Sequence, residues 1–498
     1  MRKILSPFLL VFLAFLLLLQ IFTFAQAQDL DVTIKIDTDK AVLAKIQGAV
    51  LKKAKNPRNL SILNDYAGTS GLAERITNVR LTDADGKPIE FKRFNASEHV
   101  GERDIAGFQY DIALIPMPDS TAAAHVSWIR GSVGILTLDD LLPQSIGKSA
   151  NVRLELPKGW NATSTDRQVP LEPGSSVRRN EQEFMIADIE KAIIFIGSDD
   201  RLNTISAGKT RILFDQRGEW LFDTKEGLQV AAEIFSAYEH IFGFVPAGDI
   251  VIGMTKFPTQ TSPGIWEADT RGRTVNLVSS DMPFKSQSLQ RLHEQLRHEL
   301  FHIWMPNGVS LSGNYDWFYE GFALYQSLRS GVSVGRIRFE DYLDTLSRAY
   351  EIDSFESKRL SLVDASKNRW SGSNTKVYAR GMLVAFICDL SLLENSKGKV
   401  SVADLLREIF QKHRPPAAAV DGNLAVIDVM QSHRELVPII DRYITGAERL
   451  DWAAYLTAAG IQSVSDGHMT KLTVGAKPTG RQKDLLDKLG YNNWRKSK

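Results

Sequence analysis

The sequence predicts an α+β multidomain chain: an N-terminal antiparallel β-sandwich-like domain, a mixed α/β segment and a C-terminal α-helical domain. Three observations carry that expectation. Up to about residue 198 apolar and polar side chains alternate, as at Val32, Ile34 and Ile36, and a period of two buries one face of a strand. From about residue 286 the apolar spacing becomes three and four, the helical period. The length of 498 residues leaves room for roughly three domains, and 43% apolar content is enough to fill their cores.

Taken in order, residues 78–81, 83–88 and 89–91 read as strand, turn and strand, with Asp85-Gly86 at the tip. Further strands are expected at 108–115, 126–137, 151–156 and 192–196, separated by turn residues such as Pro157-Lys158-Gly159. Residues 224–242 carry Leu228, Ala231, Phe235, Tyr238 and Ile241 at helical spacing, and Gly243 stands where that helix would stop. Two buried strands follow, at 249–254 and 274–278. The remaining periodic segments predict helices at 288–304, 316–330, 338–351, 376–393, 402–412, 424–434 and 442–458. The expected organisation is a signal peptide at 1–27, a β domain at 28–210, a catalytic domain at 211–335, a helical domain at 336–466 and a polar tail at 467–498. No internal repeat or low-complexity tract interrupts it.

Arg2 and Lys3 precede an apolar run from Ile4 to Phe24, and Ala25-Gln26-Ala27 supplies the small residues a signal peptidase needs. The chain is therefore expected to be exported, to a periplasmic or extracellular location. The run is long enough that an uncleaved N-terminal anchor is the alternative. No other membrane contact is expected. The 60 basic and 59 acidic residues nearly balance, which argues against nucleic acid as a partner. The short cluster Lys52-Lys53-Ala54-Lys55 reads as solvated surface. The single cysteine, Cys388, rules out an intramolecular disulfide and sits in an apolar run, as a buried thiol would.

The chemistry concentrates in Arg297-His298-Glu299-Leu300-Phe301-His302, an H-E-x-x-H pattern. A helix turns about 100° per residue, so His298 and His302 lie one turn apart on one face and can reach one ion. Glu299 projects beside them, placed to take a proton from a water that zinc acidifies rather than to ligate. Catalytic zinc needs a third protein ligand and an open position. Glu320, in Trp317-Phe318-Tyr319-Glu320-Gly321-Phe322, shares an apolar stripe with Trp317, Gly321 and Leu324. A carboxylate there is costly unless a cation joins it. Asp316 is the nearby alternative ligand. His293 is about half a turn round the helix from His302 and receives no metal role. Trp304 and Trp317 flank the ligands and are expected to pack in the core.

The stretches H-E-L-F-H-I-W (298–304) and W-F-Y-E-G-F-A-L-Y (317–325) resemble the glycyl aminopeptidase-like family of gluzincin metallopeptidases. Residues 136–143 and 154–160 resemble that family's N-terminal β domain. The resemblance implies a thermolysin-like zinc peptidase domain between the β and helical domains, one Zn2+ per chain and a peptide substrate. Members often carry a C-terminal PDZ domain; little chain follows the helical segment, and none is expected here. It also implies two roles. Tyr378, in Val377-Tyr378-Ala379-Arg380-Gly381, is similar to the Tyr of a Tyr-x-Lys-Gly stretch whose hydroxyl stabilises an oxyanion, with Arg380 in place of Lys. Glu267, in Gly264-Ile265-Trp266-Glu267-Ala268, resembles the Glu of a Gly-x-Met-Glu-Asn stretch that holds a substrate's amine, although Trp266 and Ala268 depart from it. An exposed loop glutamate is the plainer reading of that position. The expected activity is zinc-dependent peptide-bond hydrolysis, probing a free N-terminus. A non-catalytic envelope peptide-binding protein and a zinc endopeptidase are the alternatives.

Overall fold

The computed structural model describes residues 28–492, except 40, 53–54, 170–180, 199–200, 246–247, 356–358 and 467–468. The expected signal peptide lies outside the described residues. No helix among the described residues is long and apolar enough to cross a membrane.

The N-terminal part stacks an eight-stranded sheet on a four-stranded one. Leu30–Asp37 alternates as expected, with Leu30, Val32, Ile34 and Ile36 all buried. It pairs antiparallel with Leu43–Val50 but parallel with Ala150–Glu155, so the sheet is mixed, not wholly antiparallel. The return is parallel because the chain crosses through the second sheet between these strands. The strand expected at 126–137 is a hairpin, Trp128–Arg130 and Val133–Thr137, turned at Gly131 in the left-handed region (φ 60°).

Ile193–Gly197 is buried on both faces, and that welds the domain to the rest. Ile194 and Ile196 point into the β-domain core. Ile193 and Phe195 pack with Val251 and Val278 of the next sheet. That central sheet has five strands, in the order Arg201–Ala207, Thr210–Gln216, Ile250–Lys256, Thr274–Ser279 and Trp266–Arg271. The expected boundary at 210/211 falls inside its first hairpin, both strands of which pair into this sheet. Trp266–Arg271 is an edge strand, antiparallel to Thr274–Ser279. Its polar sequence hides it from a search for apolar alternation.

The helix Thr224–Phe242 begins in a capping box between Asp223 and Glu226 and ends at Gly243 (φ 65°). Its buried face joins one continuous core that runs through the helical body. Trp304 stacks on Phe242 with ring centroids 5.4 Å apart and donates to the Phe244 carbonyl at 2.6 Å. Trp317 donates to Asn423 at 2.8 Å. Both indoles are buried core residues, as expected. Cys388 is buried, and that burial pushes its thiol pKa up.

Two expectations need correction. Residues 442–458 do not form one helix: a π turn at Ile440–Ile444 is followed by a loop and then Ala453–Ala458. A Cβ at Gly446 would stand 2.2 Å from the Asp441 carbonyl oxygen, so the chain folds back tightly there. The stretch after 467 is not merely a polar tail. Met469–Val474 pairs with Ile461–Asp466, and Gly480–Leu489 forms a helix with a Thr479/Gln482 capping box. Leu472, Leu485, Leu486 and Leu489 are buried against the helical body.

Candidate metal centre

The helix Lys285–Glu299 carries His298 near its C-terminus and passes into a 3₁₀ turn, Leu300–Ile303, that carries His302. The expected continuous helix to 304 thus tightens by one turn, yet both imidazoles still face one point. Their Nε2 atoms are 3.1 Å apart. His302 Nδ1 lies 3.0 Å from the Met305 carbonyl oxygen, which fits a proton on Nδ1 and leaves the Nε2 lone pair facing the centre.

Glu320 occupies the joint between two short helices, Asp316–Tyr319 and Gly321–Ser333. Its Oε2 lies 3.2 Å from His298 Nε2 and 3.5 Å from His302 Nε2. Gly321 makes that approach possible. A Cβ there would stand 2.5 Å from the Cα of Gly381, so two glycines let this helix meet the helix Asn374–Asn395 backbone to backbone. The same contact brings Tyr378 to the centre, its ring 6.3 Å from that of His298.

These three side chains are buried, and among the described residues they are the group of His, Cys, Asp and Glu that could hold an ion. Asp316 is not part of that group; its carboxylate accepts from Arg369 at 2.8 Å. His293 is not either; its Nδ1 lies 2.6 Å from Arg297 Nη1. The donor set fits a zinc ion. Two imidazole nitrogens and a carboxylate oxygen turned on one point repel unless a cation lies among them. Burial pushes the His302 imidazole down, but Glu320 outweighs it and raises it to about 9. Burial pushes Glu320 up, and Arg369 and His302 outweigh that and hold it well below the usual carboxylate value.

Glu299 is buried beside the cluster, and its Oε2 accepts from Thr270 Oγ1 at 2.6 Å. Glu267 is not on an exposed loop. It lies half-buried on the edge strand Trp266–Arg271 and lines the same cleft. Burial raises its carboxyl to about 7; His125 opposes the rise, and Asp119 and Glu299 add to it. The cleft has a volume of about 660 Å³. Tyr66, Ala67, Thr121 and His125 of the β domain wall one side, and Arg369, Trp370, Asn374 and Tyr378 of the helical body wall another.

Sequence reasoning missed Arg369, Thr270 and His125. Arg369 sits on the short turn Arg369–Ser371 and donates to Tyr378 Oη at 2.7 Å, while its Nη1 is 3.0 Å from Glu320 Oε1. Nothing in local spacing marks it. His125 Nδ1 lies 3.3 Å from Asp269, which also accepts from Arg271 at 2.7 Å and so is held down at about 2 despite its burial. Arg271 in turn pairs with Asp139 at 2.7 Å, tying the β domain to the edge strand beneath the cleft. Arg380 faces away from the cleft and is paired with Asp353 at 2.8 Å.

No family model and no curated protein matches the sequence. Solved structures do match the fold. An aminopeptidase N family protein from Idiomarina loihiensis superposes with a TM-score of 0.73 at 15% identity, over 91% of this chain and 82% of that one. A mutant M1 zinc metallopeptidase from Deinococcus radiodurans, bound to a Tyr-Ser-Ala substrate, matches with a TM-score of 0.55 at 14% identity, over 85% of this chain and 95% of that one. A two-domain M1 zinc metallopeptidase mutant bound to L-tryptophan gives 0.53 at 14%, with the same coverage. At these identities the likeness establishes the fold: α+β and multidomain, with N-terminal β-sheets, a mixed centre and a helical C-terminal part, as in M1 peptidases.

Proposed function

We propose that this chain is an exported zinc metallopeptidase that hydrolyses peptide bonds next to a free N-terminus, in the manner the glycyl aminopeptidase-like resemblance implies. One observation carries the reading: His298, His302 and Glu320 converge from separate elements, with Glu299 beside them, inside one cleft of an M1-like fold. Export rests on the leader alone, with its basic start, apolar run and Ala25-Gln26-Ala27.

His298 Nε2, His302 Nε2 and Glu320 Oε2 would hold the ion. Zinc bound there supplies Lewis-acid polarisation of a carbonyl and acidification of water. The other steps belong to the protein. Thr270 holds one oxygen of Glu299, which orients the carboxylate; Glu299 takes the proton of the attacking water and returns it to the leaving amine. Tyr378 supplies a phenol hydroxyl toward the oxyanion, and Arg369 holds that hydroxyl in place. Glu267, across the cleft, accepts the substrate's ammonium and so sets where the chain begins. That role separates an aminopeptidase from an endopeptidase.

Glu299→Gln tests the reading. The variant is expected to keep its zinc and to lose activity by about 10²–10⁴-fold. Unchanged turnover in that variant favours a different base, and absence of any turnover in the parent favours the peptide-binding alternative. Hydrolysis of N-blocked peptides as fast as free ones would make the chain an endopeptidase.

A further inference from the structure

A second cavity, of about 320 Å³, opens beside the cleft and shares Trp266, His298 and Leu324 with it. Its wall contains Arg297, the residue before the first histidine of the metal cluster, only 2% exposed. Arg297 Nε donates to Ser327 Oγ at 3.3 Å, and its Nη1 donates to His293 Nδ1 at 2.6 Å. His293 is a neutral acceptor there, because burial and the Arg297 charge hold its pKa below the usual value. Neither partner carries negative charge.

The other charges lining the cavity are already paired. Glu294 binds Arg291 at 2.8 Å, Asp341 binds Arg338 at 2.7 Å, and Arg336 binds Glu233 at 2.7 Å. Arg297 is thus a deeply buried cation with no carboxylate at ion-pair distance among the described residues. The fold makes room for it. A Cβ at Gly331 would stand 2.5 Å from Ile337 Cδ1 and 3.0 Å from the Arg297 Cζ, so a side chain there would press on both.

We propose that this cavity is a subsite for a carboxylate of the peptide substrate, bound by Arg297 on the leaving-group side of the cleft. The inference rests on the peptidase reading above. The cavity joins the cleft at Trp266, His298 and Leu324, so a substrate whose amine meets Glu267 would reach it past His298. Glu294 and Glu233 act on Arg297 only from a distance, Glu233 through His293 at 3.6 Å, and a planar guanidinium presents paired donors to a carboxylate, which gives Arg297 the direct anionic partner it lacks. The carboxylate has two sources: the C-terminus of a short peptide, or an acidic side chain just after the scissile bond.

Calorimetric titration of the zinc-loaded Glu299→Gln protein separates them without turnover. The probes are Leu-Ala, Leu-Ala-amide and Leu-Glu-amide. At least one of the two carboxylate-bearing probes is expected to bind about tenfold or more tightly than Leu-Ala-amide, and which one does so identifies the source. Adding Arg297→Gln is expected to bring the three to parity, whereas Arg297→Lys keeps part of the preference. Equal affinities in the parent protein, or a preference that survives Arg297→Gln, would overturn the subsite. Turnover by the native enzyme tests the peptidase reading separately.

Discussion

Arg369 grips Glu320 by the oxygen opposite the imidazoles: its Nη1 lies 3.0 Å from Oε1, while Oε2 faces His298 at 3.2 Å. The same guanidinium holds Asp316 at 2.8 Å and the Tyr378 hydroxyl at 2.7 Å, and it lies over the Trp370 ring at 4.5 Å. One side chain therefore orients the third ligand and the phenol together. Burial pushes the Glu320 carboxyl up, and the Arg369 charge, with His302, outweighs that and holds it well below the usual value.

Removing that grip is expected to loosen the metal. Arg369→Gln should lower zinc affinity by about 10–100-fold, the usual scale for groups that orient ligands, and should lower kcat as well. Lys at this position presents a single point of charge and is expected to rescue little of either. Competition with a chromophoric chelator reads the affinity, and an unchanged affinity would remove Arg369 from the ligand-orienting role.

The Gly321–Gly381 contact is a second weak point. A Cβ at Gly321 meets backbone atoms of Gly381 at 2.5 Å, and one at Gly381 meets the Trp317 carbonyl oxygen at 2.7 Å. Backbone cannot swing aside as a long side chain does. Gly321→Ala and Gly381→Ala are each expected to cost about 1–3 kcal/mol of stability, seen as a lowered Tm. Both should also depress activity, because Glu320 and Tyr378 move apart.

Glu267 supplies a pH signature. Its carboxyl is raised from the usual 4.5 to about 7, chiefly by burial. Below that pH it is protonated and cannot pair with a substrate ammonium; above it the anion forms. The substrate's own amine loses its proton near pH 8. So kcat/KM for unblocked peptides is expected to rise with pH through about 7 and to flatten or fall beyond about 8. Glu267→Gln should abolish the rising limb attributable to this group and raise KM. The same raised carboxyl contributes stability that declines as pH climbs from 4.5 toward 7, because the folded state holds the proton more tightly there. An acid limb that persists unchanged in the Gln variant would assign it to another group.

The two histidines and Glu320 were legible because helical spacing acts locally and because an acid on an apolar stripe demands a cation. The helix 224–242 was legible from its period and its stop at Gly243. Arg369 was not, since its three partners come from residues 316, 320 and 378 and meet only once the helices pack. The edge strand Trp266–Arg271 escaped notice because it is polar along its length and takes its order from Thr274–Ser279 beside it. The parallel pairing of Leu30–Asp37 with Ala150–Glu155 likewise depends on a long crossover that periodicity does not encode. The helix Gly480–Leu489 hid behind its charged residues, although Thr479 and Gln482 form the capping box that marks its start.

The most direct test is the metal content of the purified chain, measured together with peptide hydrolysis before and after chelation. One zinc ion per chain is expected, with activity lost on chelation, restored by zinc, and both metal and activity lost in His298→Ala and Glu320→Ala. Full hydrolysis by metal-free protein, or zinc retained at one per chain when His298, His302 and Glu320 are all replaced, would contradict a metal centre at these residues.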